Sequence, residues 1–106
     1  ANRVKEQLLG VSSLDLSEKG AVSKEVVEQM AKGTLLTLGC DCSVATSGIA
    51  GPSGGTPEKP VGTVWIAAAC RDKVRSELFH FGTNREQNML RASNMALLML
   101  LDMLQS

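Results

Sequence analysis

The sequence predicts an α/β domain with three layers, α/β/α, around a mixed sheet. An apolar stripe at helical spacing follows Ser23 and continues to about Leu38. Two short runs rich in apolar, small or β-branched residues, 43–47 and 63–69, are typical of buried strands. A leucine- and methionine-rich helical pattern fills the end of the chain. The length of 106 residues suits one domain, 1–106.

The ends of the first helical pattern are marked by residues with known preferences. Ser23 is a favoured N-cap residue, and Gly39 readily adopts the left-handed conformation in which many helices end. Upstream, residues 1–9 place apolar side chains on one helical face before Gly10, so they predict the end of a further helix. An irregular connection is expected between this segment and Ser23.

The later part of the chain predicts a hairpin followed by a helix. Residues 63–69 are continuously apolar, which is typical of a central strand covered on both faces. A short polar turn leads into residues 74–81, which alternate well enough to predict a third strand whose buried face the sequence leaves open. Because the turn is short, the two strands are expected to be antiparallel. The last helix is expected to begin near Thr83 or Asn84, since both start capping-box patterns.

Composition and charge argue against several functional classes. The 11 basic and 11 acidic residues balance, so a basic face for nucleic acid is not expected. The longest strongly apolar stretch, 95–104, contains Asp102 and is shorter than the roughly 20 residues that span a bilayer. Three cysteines without a secretory segment favour free thiols and a cytoplasmic location. No zinc pattern accompanies Cys40 and Cys42, so the cysteines are interpreted as buried apolar residues.

The most informative segment is the loop between the first two predicted strands. From Ser47 to Gly62 it contains five glycines and three prolines. Glycine permits a close backbone approach to a ligand, whereas proline stiffens the chain. The combination predicts an ordered loop whose N–H groups converge on an anion, beyond the end of a strand where α/β sheets bind ligands. A purely structural loop is the alternative, and neither the Walker nor the dinucleotide pattern is present.

The same loop carries a specific family resemblance. The run SGIAGPSGGTPEKPVGTVW is similar to the CinA C-terminal domain pattern, which is close to S/T-GIAGPxGG-T/S-xxKPVGTV-Y/W. Residues 2–5, followed by LLGV, resemble the family's YSNxxK…LLGV, and residues 81–85 resemble its F-x-G-D-R. Because these matches keep their order along nearly the whole chain, it is identified as a member of that family.

The resemblance implies an activity as well as a fold. The family domain hydrolyses nicotinamide mononucleotide to nicotinic acid mononucleotide and ammonia, without a metal or other cofactor, in pyridine nucleotide recycling. It pairs a serine nucleophile with a lysine base, and that lysine corresponds to Lys5. The serine belongs to an ESxTGG motif that this sequence lacks. The serine, with the family's first strand and helix, is therefore expected upstream of residue 1, and the chain alone is expected to be inactive.

Substrate binding is expected at the glycine-rich loop and at the start of the last helix. Arg85 lies where helical N–H groups attract a phosphate, and Arg91 is a further candidate. The residues predicted to bind substrate are Ser47, Gly48, Gly51, Gly54, Gly55, Thr56, Lys59 and Arg85. A non-catalytic nucleotide-binding or oligomerisation module is the alternative function. An exposed sheet edge and the methionine- and leucine-rich helix favour a homo-oligomer.

Overall fold

Two helices and three strands form the part of the chain that the structure describes. The computed structural model describes Gly20 and residues 22–105. The elements are α1 (Lys24–Leu38), β1 (Cys42–Gly48), β2 (Thr63–Cys70), β3 (Lys73–His80) and α2 (Arg85–Gln105). Each element predicted downstream of Ser23 is confirmed, with ends close to those expected. The helix predicted within residues 1–9 lies outside the described residues.

Both ends of α1 are held by the capping residues that the sequence marks. The Ser23 hydroxyl accepts a hydrogen bond from the Val26 N–H at 3.4 Å and donates one to the Gly20 carbonyl at 2.8 Å. At the other end Gly39 has a φ of 65°, and its N–H donates to the Leu35 carbonyl. These bonds satisfy backbone groups that a helix end leaves without intrahelical partners.

Asn84, rather than Thr83, is the N-cap residue of α2. The Asn84 Oδ1 accepts from the Gln87 N–H at 3.0 Å, and the Asn84 carbonyl accepts from the Asn88 N–H at 2.9 Å. Of the two capping patterns in the sequence, the structure therefore uses the second. Neither α2 nor α1 has the combination of length and apolar character that a membrane-crossing helix needs.

The three strands form one sheet in the order β1–β2–β3. Both neighbouring pairs are antiparallel, with Ser43 opposite Ala69 and Ala67 opposite Ser76. The predicted hairpin of β2 and β3 is therefore confirmed. The parallel pairs of a mixed sheet do not occur among these described strands. The glycine-rich loop consequently joins two adjacent antiparallel strands. The rule that ligands bind beyond the carboxyl ends of parallel strands, which led to the expectation of a ligand site at this loop, does not apply to it.

The central strand β2 is buried on both faces, as its continuous apolar run predicts. The cluster on the α2 side contains Val64, Ile66, Ala68, Ala92, Ala96 and Met99. The cluster on the α1 side contains Val27, Ala31, Ala45, Ala67 and Ala69. The buried Ser43 hydroxyl adds a hydrogen bond to the Ala31 carbonyl of α1, at 2.6 Å. One helix thus covers each face, which gives the predicted three layers.

Strand β3 contributes to both clusters, which explains why its sequence did not define one buried face. Phe79 packs on the α2 side together with Phe81, and their ring centroids lie 5.5 Å apart. Val74 packs on the α1 side. Both faces of β3 are therefore partly covered. Its alternating side chains point toward two different helices, rather than toward the core on one face and solvent on the other.

Gly62 occupies a position at the end of the loop where a side chain does not fit. Its φ is 92°, and an added Cβ would lie 2.5 Å from the carbonyl oxygens of both Phe81 and Gly82. The Gly62 N–H donates to the Ile49 carbonyl at 2.6 Å, and the Gly62 carbonyl accepts from the Phe81 N–H at 2.8 Å. Gly62 therefore ties the returning loop to the segments that flank it.

We expect Gly62→Ala to lower the free energy of unfolding by at least about 3 kcal/mol, because a positive φ and backbone crowding both add strain. Gly39→Ala is the matched control, since Gly39 also has a positive φ but no atom lies within 4 Å of an added Cβ. We expect it to cost only about 1 kcal/mol. Urea unfolding measures both values, and equal losses would contradict the steric argument.

Candidate functional site

The glycine-rich loop is held by hydrogen bonds along its length. Next to the sheet, the Ile49 N–H donates to the Thr63 carbonyl at 2.9 Å. Farther out, the Thr56 N–H donates to the Lys59 carbonyl at 2.9 Å, and the Lys59 N–H donates to the Thr56 Oγ1 at 3.0 Å. The second pair closes a turn within the loop. The loop is therefore ordered, as its glycine and proline content predicts.

A stretch of exposed backbone lies between these two anchored parts of the loop. Ser53, Gly54 and Gly55 are exposed, and no acceptor within the described residues pairs with their N–H groups. Successive free N–H groups in a glycine-rich turn are suited to binding an anion. The loop therefore presents hydrogen-bond donors to solvent at a point beyond the sheet.

A cavity of about 230 Å³ lies where the beginning of the loop meets α2. It is lined by Thr46, Gly48, Ala50, Val64, Arg85, Asn88, Met89, Ala92 and Ser93. Among these described residues Arg85 alone is charged. Because no carboxylate opposes it in the lining, the cavity favours an anionic group.

A second cavity, of about 340 Å³, continues along the same strand and helix. It shares Thr46 and Ser93 with the first, and its other lining residues, Val44, Ala96, Leu97 and Leu100, are apolar. Together the two cavities form the β1–α2 groove, a name we use for the space lined by these two sets of residues. The groove has a cationic end at Arg85 and an apolar end at Leu97.

Two side chains of α2 hold the loop at the cationic end of the groove. The Arg85 Nη1 donates to the Gly51 carbonyl at 3.3 Å. The Asn88 Nδ2 donates to the Ala50 carbonyl at 2.9 Å and to the Gly82 carbonyl at 2.8 Å. A guanidinium group carries five N–H donors, so the contact with Gly51 orients Arg85 and still leaves donors for a ligand.

The structure brings three of the predicted substrate-binding residues to this end of the groove. Gly48 and Arg85 line it, and Gly51 is joined to Arg85 through its carbonyl. Ser47 lies on the other face of the sheet, because its cross-strand partner Trp65 packs in the cluster on the α1 side. A substrate contact of Ser47 stays a prediction, and it would have to be made from that face.

The remaining candidates lie farther along the loop or outside the described residues. Gly54, Gly55, Thr56 and Lys59 are not among the residues that line either part of the groove. The Thr56 oxygen already accepts the bond that closes the loop's turn, and Lys59 reaches toward Gly20, whose added Cβ would lie 3.3 Å from the Lys59 Nζ. Lys5 lies outside the described residues. Their roles in binding and catalysis stay predictions.

Asn88 is the functional candidate that sequence reasoning missed. It is 1% exposed and occupies the buried face of α2 together with Ala92, Ala96 and Met99. The signal was present, because a carboxamide on an apolar helical face must find hydrogen-bond partners to offset its burial. The sequence did not show that these partners are carbonyls of the loop and of the segment before α2.

The three cysteines have different surroundings. Cys70 is buried and lies opposite the half-buried Cys42, whereas Cys40 is exposed. The interpretation of the Cys40 and Cys42 pair as buried residues is therefore wrong for Cys40. Burial raises the pKa of the Cys70 thiol to about 11, and the neighbouring Cys42 adds to the increase. Within the described ranges, no group of three histidine, cysteine or acidic side chains is placed to hold a metal ion.

The fold is a three-layer α/β domain, and the β1–α2 groove is its candidate site for a small molecule that carries an anionic group. The chain belongs to the CinA C-terminal domain family, whose model matches residues 1–104. It is 50% identical over 103 residues to a CinA-like protein of Akkermansia muciniphila, which covers 96% of this chain and 25% of that protein. It is 48% identical over 94 residues to the nicotinamide-nucleotide amidohydrolase PncC of Enterobacter agglomerans, covering 88% of this chain and 57% of that protein.

Solved structures share the fold. The competence/damage-inducible protein CihA from Agrobacterium tumefaciens matches with a TM-score of 0.92 and 38% identity, over 96% of this chain and 63% of that one. A CinA superfamily protein from Escherichia coli matches with a TM-score of 0.90 and 33% identity, over 97% of this chain and 60% of that one. The chain thus spans a quarter of the CinA-like relative and less than two thirds of these structures.

We expect iodoacetamide to alkylate Cys40 much faster than Cys70 in the folded protein at pH 8. The thiolate is the reactive form, and Cys70 is both buried and shifted to a pKa of about 11. Peptide mass spectrometry measures the two rates, with Cys40→Ser as the control for assignment. Urea should make the two rates similar, whereas equal rates without urea would contradict the burial of Cys70.

Proposed function

We propose that the complete domain binds nicotinamide mononucleotide in the β1–α2 groove and hydrolyses its amide to nicotinic acid mononucleotide and ammonia. The observation that carries the proposal is the distribution of polarity along the groove. Arg85 forms a cationic end, and Val44, Leu97 and Leu100 form an apolar end. Nicotinamide mononucleotide has an anionic phosphate at one end and a flat pyridinium ring at the other, and the faces of such a ring can pack against apolar side chains. The name of the PncC relative supports the same substrate class.

The size of the groove supports a ligand that extends through both of its parts. The two cavities, of about 230 and about 340 Å³, lie near the lower limit for small-molecule pockets, which typically range from about 300 to 1,000 Å³. One part suits a phosphate with its ribose, and the other suits a ring. Thr46 and Ser93, which line both parts, lie where the ribose hydroxyls would pass.

Amide hydrolysis also needs a nucleophile, a base and donors for the oxyanion. We assign the nucleophile to a serine that precedes residue 1 in the complete protein, and the base to Lys5. The serine oxygen attacks the carboxamide carbon while neutral Lys5 takes its proton. The C–N bond then breaks as Lys5 returns the proton to the leaving ammonia. Water, deprotonated in the same way, releases the acid and restores the serine.

A donor for the oxyanion comes from this chain under the same proposal. Thr46, which lines the apolar part of the groove as well as the cationic part, supplies a hydroxyl. For Lys5 to act as a base at neutral pH, its pKa must fall, which burial or a neighbouring positive charge achieves.

The outward face of α2 supports the homo-oligomer predicted from the sequence, which we retain as a second proposal. Leu90, Leu97, Leu101 and Leu104 lie on one side of the helix and are 45% to 62% exposed. Leucines at these heptad-like spacings are typical of a helix that packs against another helix. Leu97 also lines the apolar end of the groove, so an assembly through this side of α2 would cover that end.

We expect the protein extended upstream of residue 1 to release ammonia from nicotinamide mononucleotide, and Lys5→Ala to lower its kcat at least about 100-fold, as loss of a general base does. Lys32→Ala, on the exposed side of α1, is the matched control and should leave kcat unchanged. A coupled ammonia assay measures turnover. Near-normal turnover of Lys5→Ala would discard the base assignment, and tight binding without ammonia would favour a non-catalytic module.

We expect Arg85→Ala to lower kcat/KM for nicotinamide mononucleotide about 10–100-fold, since a hydrogen bond to a charged group contributes about 1.5–3 kcal/mol. The loss should be much smaller for nicotinamide riboside, which lacks the phosphate. Arg75→Ala, at an exposed site on β3, is the control for removal of a guanidinium group. Equal losses for the two substrates would contradict the phosphate contact and leave only the contact of Arg85 with Gly51.

A further inference from the structure

We propose that Asn88 is a positioning residue whose carboxamide group fixes the cationic end of the β1–α2 groove by joining the glycine-rich loop to α2. The proposal rests on the proposed function, since it concerns the binding and reaction of the same substrate. Asn88 follows Arg85 by one helical turn and lines the same cavity. Its own role is to hold the backbone against which Arg85 is oriented.

One amide group of Asn88 connects three segments of the chain. Its Nδ2 donates to the Ala50 carbonyl in the loop at 2.9 Å and to the Gly82 carbonyl, between β3 and α2, at 2.8 Å. Ala50 adjoins Gly51, whose carbonyl accepts from the Arg85 Nη1 at 3.3 Å. Holding Ala50 in place therefore also places the acceptor that orients Arg85.

The orientation of the Asn88 side chain follows from these partners. Two carbonyl oxygens require two N–H donors, and only the NH₂ end of the amide supplies them. The Oδ1 is consequently at the other end, where it is buried and has no hydrogen-bond partner among the described residues. An unpaired buried acceptor costs free energy. This cost offsets part of the stability that the two donated bonds contribute.

The Asn88→Ala variant is expected to change both stability and loop position. It leaves the Ala50 and Gly82 carbonyls without their donors and empties the buried volume that the amide fills, so some stability is lost. The same substitution releases Ala50 and Gly82 from α2, so the change in loop position is large. Catalytic rates depend steeply on such placement, with a loss of about 100-fold for a shift of about 1 Å.

Asn88→Asp provides a variant of nearly the same shape with the opposite hydrogen-bonding character. An ionised carboxylate donates no hydrogen bond and faces the two carbonyl oxygens, whereas the protonated form donates to one of them. The carbonyl oxygens disfavour the ionised form and raise the pKa of the introduced carboxyl group. The defect of Asn88→Asp is therefore expected to decrease as pH falls.

The test uses the protein extended upstream of residue 1, with Asn88→Ala and Asn88→Asp. Asn94→Ala and Asn94→Asp are the matched controls, because Asn94 lies on the exposed side of the same helix. We expect Asn88→Ala to lower kcat/KM for nicotinamide mononucleotide about 10–100-fold and to speed hydrogen exchange of the Ile49 and Gly62 amides, which anchor the loop.

For Asn88→Asp, kcat/KM relative to the unsubstituted protein should recover several-fold between pH 8 and pH 5, and Asn94→Asp should show no such change. This variant also serves as the test if Asn88→Ala does not fold. A loss of activity with unchanged hydrogen exchange would overturn the positioning role, and so would faster exchange with unchanged kcat/KM. Exchange is measured without substrate. If the extended protein releases no ammonia, the proposed function is contradicted. The exchange rates still show in that case whether Asn88 holds the loop.

Discussion

The burial of β2 on both faces is the constraint on which the rest of the structure depends. Its alternate residues serve two cores: Ile66 packs toward α2, whereas Ala67 packs toward α1. Because β2 is also the middle strand, its first residue, Thr63, sets where the loop from β1 must return. Gly62 then has to fit between Ile49 and the end of β3, which leaves no room for a side chain. The position of the loop is therefore a consequence of the core.

The groove inherits its geometry from backbone atoms that this arrangement fixes. Arg85 and Asn88 both donate to carbonyls, and neither pairs with an acidic side chain within the described residues. Arg85 thus keeps its full positive charge at the end of the groove while its orientation is restricted. An ion pair would have oriented the guanidinium equally well, but it would have cancelled the field that attracts a phosphate. The Gly51 carbonyl of the loop orients the Arg85 guanidinium without neutralising its charge.

Local sequence signals were sufficient to predict where the helices and strands lie. They were not sufficient to predict which face of each strand or helix meets which neighbour. Ser23 and Gly39 fixed the ends of α1 because capping depends on a few neighbouring residues. The alternation in β1 separates Thr46 from Ser47, but which of them meets α2 depends on the pairing with β2 and on the path of the later helix. The same limit applies to Asn88, whose partners lie 38 and 6 residues away in the chain. Hydrogen bonds that join three separate segments of the chain leave no pattern among neighbouring residues from which they could be predicted.

The apolar character of α2 connects the groove with the length of the relatives. One side of the helix is buried against the sheet, yet Leu97 and Leu101 on the other side are 57% and 45% exposed. A helix that is apolar around most of its circumference is normally enclosed. The chain covers 57% of the PncC relative, so a complete relative has further residues available for this role. Whatever covers this side of α2 in the complete protein, a partner helix or further residues of the chain, would also close the apolar end of the groove, because Leu97 belongs to both surfaces. Closure at that end would exclude water from the ring under the proposed function.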